Sequence, residues 1–236
     1  MGGPMTLDRA VFMRKVLHVV FCLGLAAPYL SGFEEYSLYY FAVLALAASY
    51  ANAVMIKRPL LAYDIKNALR ERRRRILLSL LRGAPTAIRR EFTDLEQRLE
   101  SLEDLIEEQI RRMERAYERV GGYIGVTHGI LGVLVSQILF GDRTLYGIMA
   151  LAVVDPVGAV VGSALGRTRI PLTDATLEGF VAEVAAFAVA LVVLGVDPIR
   201  ALAVSLAAGL SEVLFVEDNL VIPVASSLAA YYLALP

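Results

Sequence analysis

Cysteine and histidine are nearly absent from this chain: among 236 residues there is one cysteine, Cys22, and there are two histidines, His18 and His128. A single thiol excludes an intramolecular disulfide, and its place in an apolar run reads as a small buried hydrophobe. No cysteine and histidine cluster supplies zinc spacing. No Gly-rich Walker loop is present either, so a P-loop nucleotide site is excluded. Polar residues are also scarce, with 57% of the chain hydrophobic and 20% charged. A soluble globule with a polar surface does not fit that balance, and a bilayer is the solvent it implies.

Net charge is −1, yet sixteen of the 23 Lys and Arg lie between Lys57 and Arg119. Outside that stretch, apolar runs at 16–33, 36–56, 121–140, 144–165, 177–195, 199–216 and 220–235 are near the roughly 20 residues that a spanning helix needs. The expected fold is therefore all-α: a polytopic membrane protein of about seven transmembrane helices with a cytoplasmic helical hairpin. Three regions follow: residues 1–56 with two helices, 57–120 as the charged hairpin, and 121–236 as a five-helix core. Arg14 and Lys15 precede the first run as they would in a signal peptide. Pro28, Tyr29 and Leu30 offer no small-residue cleavage site, so the segment reads as an uncleaved helix.

Within 57–120 two helical patterns are separated by Gly83, Ala84 and Pro85. In the second, Phe92, Leu95, Leu99, Leu102, Ile106, Ile110, Met113, Tyr117 and Val120 recur at steps of three and four, a coiled-coil seam. The first carries Leu61, Ile65, Leu69, Ile76 and Leu80 beside the basic run Arg72 to Arg75. It covers only part of the longer arm, so a homodimer through the exposed seam is expected. Interleaved glutamates and the absence of a recognition motif exclude nucleic acid as a partner. Positive charge marks the cytoplasmic side. That rule puts the N-terminus, the hairpin, the Arg167 to Thr176 loop and the Val216 to Asn219 loop inside, and the C-terminus outside. The polar residues then gather at one face.

Asp155 sits deep in an apolar segment, where ionisable groups mark functional cavities. Pro156 follows it and is expected to break the helix. Gly158, Gly162 and Gly166 share a face that suits close approach of a phosphate or of a packed helix backbone. Arg167 and Arg169 beyond them suit polyphosphate. Glu178 opens the next helix, where a carboxylate also complements the positive helix end. Glu212, Glu217, Asp218 and Asn219 form an oxygen-rich group suited to Mg²⁺, with Glu217 expected to be mostly solvated. Arg14, Lys15 and His18 share a helix face at the inner interface. His128, with only Thr127 as polar company, reads as structural.

Four stretches together resemble the CTP-dependent lipid kinases, the family of dolichol kinase, phytol kinase and the fungal-type diacylglycerol kinase. They are RKVLH at Arg14 to His18, DPVGAVVGSALGR at Asp155 to Arg167, TLEG at Thr176 to Gly179, and EDNLVIP at Glu217 to Pro223. The chain departs from the pattern at Asp174 and Ala175, where the family usually has a lysine before the TLEG-like element. The resemblance implies transfer of the terminal phosphate of CTP to a membrane alcohol, dolichol or another polyprenol first and a diacylglycerol-like lipid second. Asp155 would orient the lipid hydroxyl, Glu178 would belong to the catalytic set, and Glu212 and Asp218 would hold Mg²⁺. Arg14, Lys15, His18, the three glycines, Arg167, Arg169 and Asn219 would line the nucleotide phosphates. Two other classes remain open: a CTP-dependent lipid cytidylyltransferase, and a non-catalytic transporter or scaffold.

Overall fold

A computed structural model describes residues 9–57, 68–73, 75–76, 79, 99, 101, 124–171, 173 and 175–235. Among these the protein is helical, without a strand; an isolated antiparallel bridge joins Arg169 to Thr176. The helices are α1 (Arg9–Leu25), α2 (Ala27–Leu30), α3 (Ser37–Lys57), α4 (Ile124–Phe140), α5 (Thr144–Leu165), α6 (Leu177–Val193), α7 (Pro198–Leu214) and α8 (Asp218–Tyr232). Two compact units are present. One comprises Met1–Tyr50 with Tyr123–Pro236, and the other Ala51–Gly122. In the second, Arg75 pairs with Glu71 at 2.7 Å across one exposed helical turn. The expected coiled-coil seam and dimer contact lie almost wholly outside the described residues.

The turns of the first unit follow from local chemistry. A 3₁₀ turn at Glu34–Tyr36 leads into α3, and another at Gly141–Arg143 joins α4 to α5. Gly195 closes the α6–α7 turn at φ +91°, a conformation that a side chain resists. Asp197 then caps α7, accepting from the amides of Ile199 at 3.1 Å and Arg200 at 3.2 Å, with Pro198 next in sequence.

Two sequence expectations are corrected. The first apolar run is not one helix to residue 33, because α1 ends at Leu25 and the short α2 restarts at Ala27 with Pro28 in its first turn. Pro156 does not break α5, which runs unbroken from Thr144 to Leu165. Proline deletes one amide donor, a loss that apolar helices tolerate when neighbouring helices enclose the site. Pro223 lies inside α8 in the same way.

The core forms where α5 meets α1, α6 and α8, and where α7 packs against α6 and α8. Leu151, Val154, Phe187, Leu191, Val204 and Ile222 are buried there. Glycines set the closest approaches. A Cβ on Gly147 of α5 would lie 2.5 Å from the Pro223 carbonyl oxygen and 2.5 Å from Ser227 Oγ on α8. Gly147→Ala is therefore expected to destabilise the fold by about 1–3 kcal/mol, read as a lower thermal midpoint of the detergent-solubilised protein.

Among the described residues, two helical stretches are long and apolar enough to cross a membrane, Glu34–Val54 and Gly125–Leu165. Helices α1, α6 and α7 have 17 residues each and α8 has 15. A seven-span arrangement thus goes beyond what helix length and composition establish.

Candidate functional site

Three carboxylates that are far apart in the sequence converge at one point of the helical core. One oxygen each from Asp155 on α5, Glu212 near the end of α7 and Asp218 at the start of α8 lie within 4.8 Å of one another. Asp155 is buried and the other two are half-buried. Like charges this close raise one another's energy steeply in a low-dielectric setting and need cations among them.

Helix α1 supplies one cation. Lys15 Nζ is hydrogen-bonded and ion-paired to Asp155 Oδ1, with both side chains about 95% buried. His18, nearly one turn further along α1, places Nε2 3.0 Å from the Leu151 carbonyl and 3.5 Å from Asp155 Oδ2. Lys15 and His18 are thus the α1 side chains that face Asp155. Hard oxygen donors in that arrangement fit a divalent cation such as Mg²⁺, which is held by one or two carboxylates and keeps its remaining positions for water or phosphate.

Glu178 lies apart from this locus. Its carboxylate accepts from the backbone amides of Arg167 at 3.1 Å and of Thr168 at 3.2 Å. It thereby shapes the loop that presents the exposed Arg167 and Arg169 side chains. The cap of α6 is Thr176, whose hydroxyl accepts from the Gly179 amide at 3.2 Å.

The glycine face of α5 is filled by protein. A Cβ on Gly158 would overlap Glu183 Oε2, one on Gly162 would meet Thr176 Oγ1 at 3.0 Å, and one on Gly166 would strike the Thr176 side chain. The stripe thus lets α6 approach α5 closely, and its packing role is the one realised. Arg14 is half-buried with an Nε that lacks a hydrogen-bond partner, and Asn219 Oδ1 is likewise buried without one.

Two features escaped sequence reasoning. Glu183 on α6 is only 1% exposed, its Oε2 faces Gly158, and its Oε1 would stand 3.1 Å from a Cβ on Gly209. Oε1 has no hydrogen-bond partner. Gly158 is one turn from Asp155 and Gly209 one turn from Glu212, so Glu183 occupies the layer beside the carboxylate cluster. The signal was available, because Glu183 is an ionisable residue inside an apolar run just as Asp155 is. The second feature is a pair: His128 Nδ1 lies 2.7 Å from Glu217 Oε2. Neither the isolated His128 nor the solvated Glu217 of the sequence reading matches that contact, which spans 89 positions.

Searches against protein families, curated proteins and solved structures find no match for this chain.

Proposed function

We propose that the protein is a seven-span membrane enzyme that transfers the terminal phosphate of CTP to the hydroxyl of a membrane-embedded lipid alcohol, with a polyprenol first and a diacylglycerol-like lipid second. The observation that carries this reading is convergence. Lys15 and His18 of RKVLH, Asp155 of DPVG, Glu212, and Asp218 of EDNLVIP meet at one site, although the sequence scatters them over some two hundred positions.

The membrane setting is supported by the outer faces of the helices. Leu202, Leu206, Leu210 and Leu214 are exposed at every fourth position of α7, and Val181, Val189 and Val193 are exposed on α6. Stripes of this kind suit lipid and oppose water. The loop bearing Arg167 and Arg169 and the start of α8 would lie on the side that positive charge marks as cytoplasmic.

Phosphoryl transfer asks for alignment and charge neutralisation more than for covalent help. Glu212 and Asp218 would hold Mg²⁺, which when bound neutralises the nucleotide's phosphate oxygens. Arg167 and Arg169, fixed through the Glu178-anchored loop, meet the same phosphates from the aqueous side. Asp155, in the middle of α5 and the most buried of the three carboxylates, would orient a hydroxyl arriving from the bilayer. Lys15, ion-paired to that carboxylate, holds it in place.

Labelled CTP tests the proposal. Purified protein in vesicles containing a polyprenol is expected to transfer label from the γ position and none from the α position into lipid. Label from the α position would make it a lipid cytidylyltransferase. No transfer with any lipid alcohol would leave a transporter or scaffold.

A further inference from the structure

We propose that His128 is a positioning residue for the carboxylate cluster, acting through Glu217 to fix the first turn of α8. The inference rests on the reading of Asp155, Glu212 and Asp218 as a divalent-cation site. Glu217 occupies the position just before α8, and its backbone oxygen accepts from the amides of Leu220 at 3.1 Å and Val221 at 3.2 Å. Ser, Thr, Asp or Asn at that position turns its side chain onto the helix's own free amides. Glu217 makes no such cap; its carboxylate reaches across to His128 on α4, at 2.7 Å.

One turn beyond His128 on α4 is Gly132, where an added Cβ would strike the backbone carbonyl oxygen of Leu220. The same strip of α4 thus holds the start of α8 twice, by a hydrogen bond to Glu217 and by backbone contact at Leu220. Between these two anchors lies Asp218, the one of the three carboxylates that α8 carries. Its oxygen has to stay within 4.8 Å of those of Asp155 and Glu212, although it stands on the first residue of its helix, where chains fray. An outer partner that orients a ligating carboxylate is typically worth 10–100-fold in metal affinity.

The test is Mn²⁺ binding to the purified full chain, followed by electron paramagnetic resonance in the absence of nucleotide. His128→Leu is expected to weaken binding about tenfold, the low end of the range for partners bonded directly to a ligand, since His128 acts on Asp218 through Glu217. His128→Asn, whose amide nitrogen takes the place of Nδ1, should restore binding to within about threefold, since it keeps the donor. Asp218→Asn, the control, should reduce binding at least as much as His128→Leu. Should His128→Leu not accumulate as folded protein, Glu217→Gln carries the same expectation of weakened binding. Unchanged Mn²⁺ affinity alongside a lower thermal midpoint would make His128 merely structural and overturn the proposal. Wild-type protein that binds no Mn²⁺, or binds it equally after Asp218→Asn, would overturn the cation reading as well, while normal Asp218-dependent binding with a silent His128 would sink this inference alone.

Discussion

Asp155→Asn is expected to reduce phosphate transfer by at least about a hundredfold while the protein still inserts and folds, since removing one preorganised electrostatic partner of a transition state costs about 10²–10³ in rate. The substitution keeps the shape of the side chain and removes its charge. Two effects have to be separated. In the proposed mechanism Asp155 orients the acceptor hydroxyl, and it is also the buried partner of Lys15. Breaking a buried ion pair from one side costs about 3–5 kcal/mol, because the other charge is left without compensation. Lys15→Met combined with Asp155→Asn removes both charges, so it should recover much of the lost thermal stability. Its transfer activity should remain at the level of Asp155→Asn. Recovery of activity along with stability would mean that Asp155 serves only to neutralise Lys15. Transfer within threefold of wild type by Asp155→Asn alone would remove Asp155 from the mechanism.

The sequence makes some of this site legible and conceals the rest for physical reasons. Asp155 stands out because an acid inside an apolar run is costly wherever it goes, and the cost survives any choice of fold. Lys15 and His18 follow from helical spacing on α1, which needs no tertiary information. Their meeting with Asp155 across 140 and 137 positions does need it. The His128–Glu217 contact is hidden more completely, because each residue alone has an ordinary local explanation and only the packing of α4 on α8 joins them. Pro156 misled in the opposite sense: proline's cost in a helix is real, yet one lost amide bond does not end a helix that its neighbours enclose on several sides. The Gly158, Gly162 and Gly166 stripe was legible as a close-approach surface, but what approaches it is α6.

Glu183→Gln is expected to lower transfer at least tenfold without lowering the thermal midpoint. The carboxyl is 1% exposed, has one oxygen without a hydrogen-bond partner, and is gripped between Gly158 and Gly209. Burying a polar group unpaired costs about 1–3 kcal/mol on protein scales, and a charged one costs more. No packing gain offsets that here, since an apolar side chain of similar volume would fill the space between the two glycines without the penalty. A fold that retains a costly group beside its carboxylate cluster is trading stability for function, the pattern in which removal stabilises the protein and impairs activity. Glutamine preserves the volume, so the tight fit against Gly158 is kept and the readout isolates the carboxyl chemistry. Glu183 lies in the same layer as Asp155 and Glu212, so in the proposed site its carboxyl is part of the polar wall around the cluster. Loss of that carboxyl should appear as a higher concentration of divalent cation for half-maximal transfer, with the KM for the lipid alcohol unchanged. Full activity in Glu183→Gln together with a raised midpoint would show that Glu183 is a tolerated burden of packing and takes no part in the site.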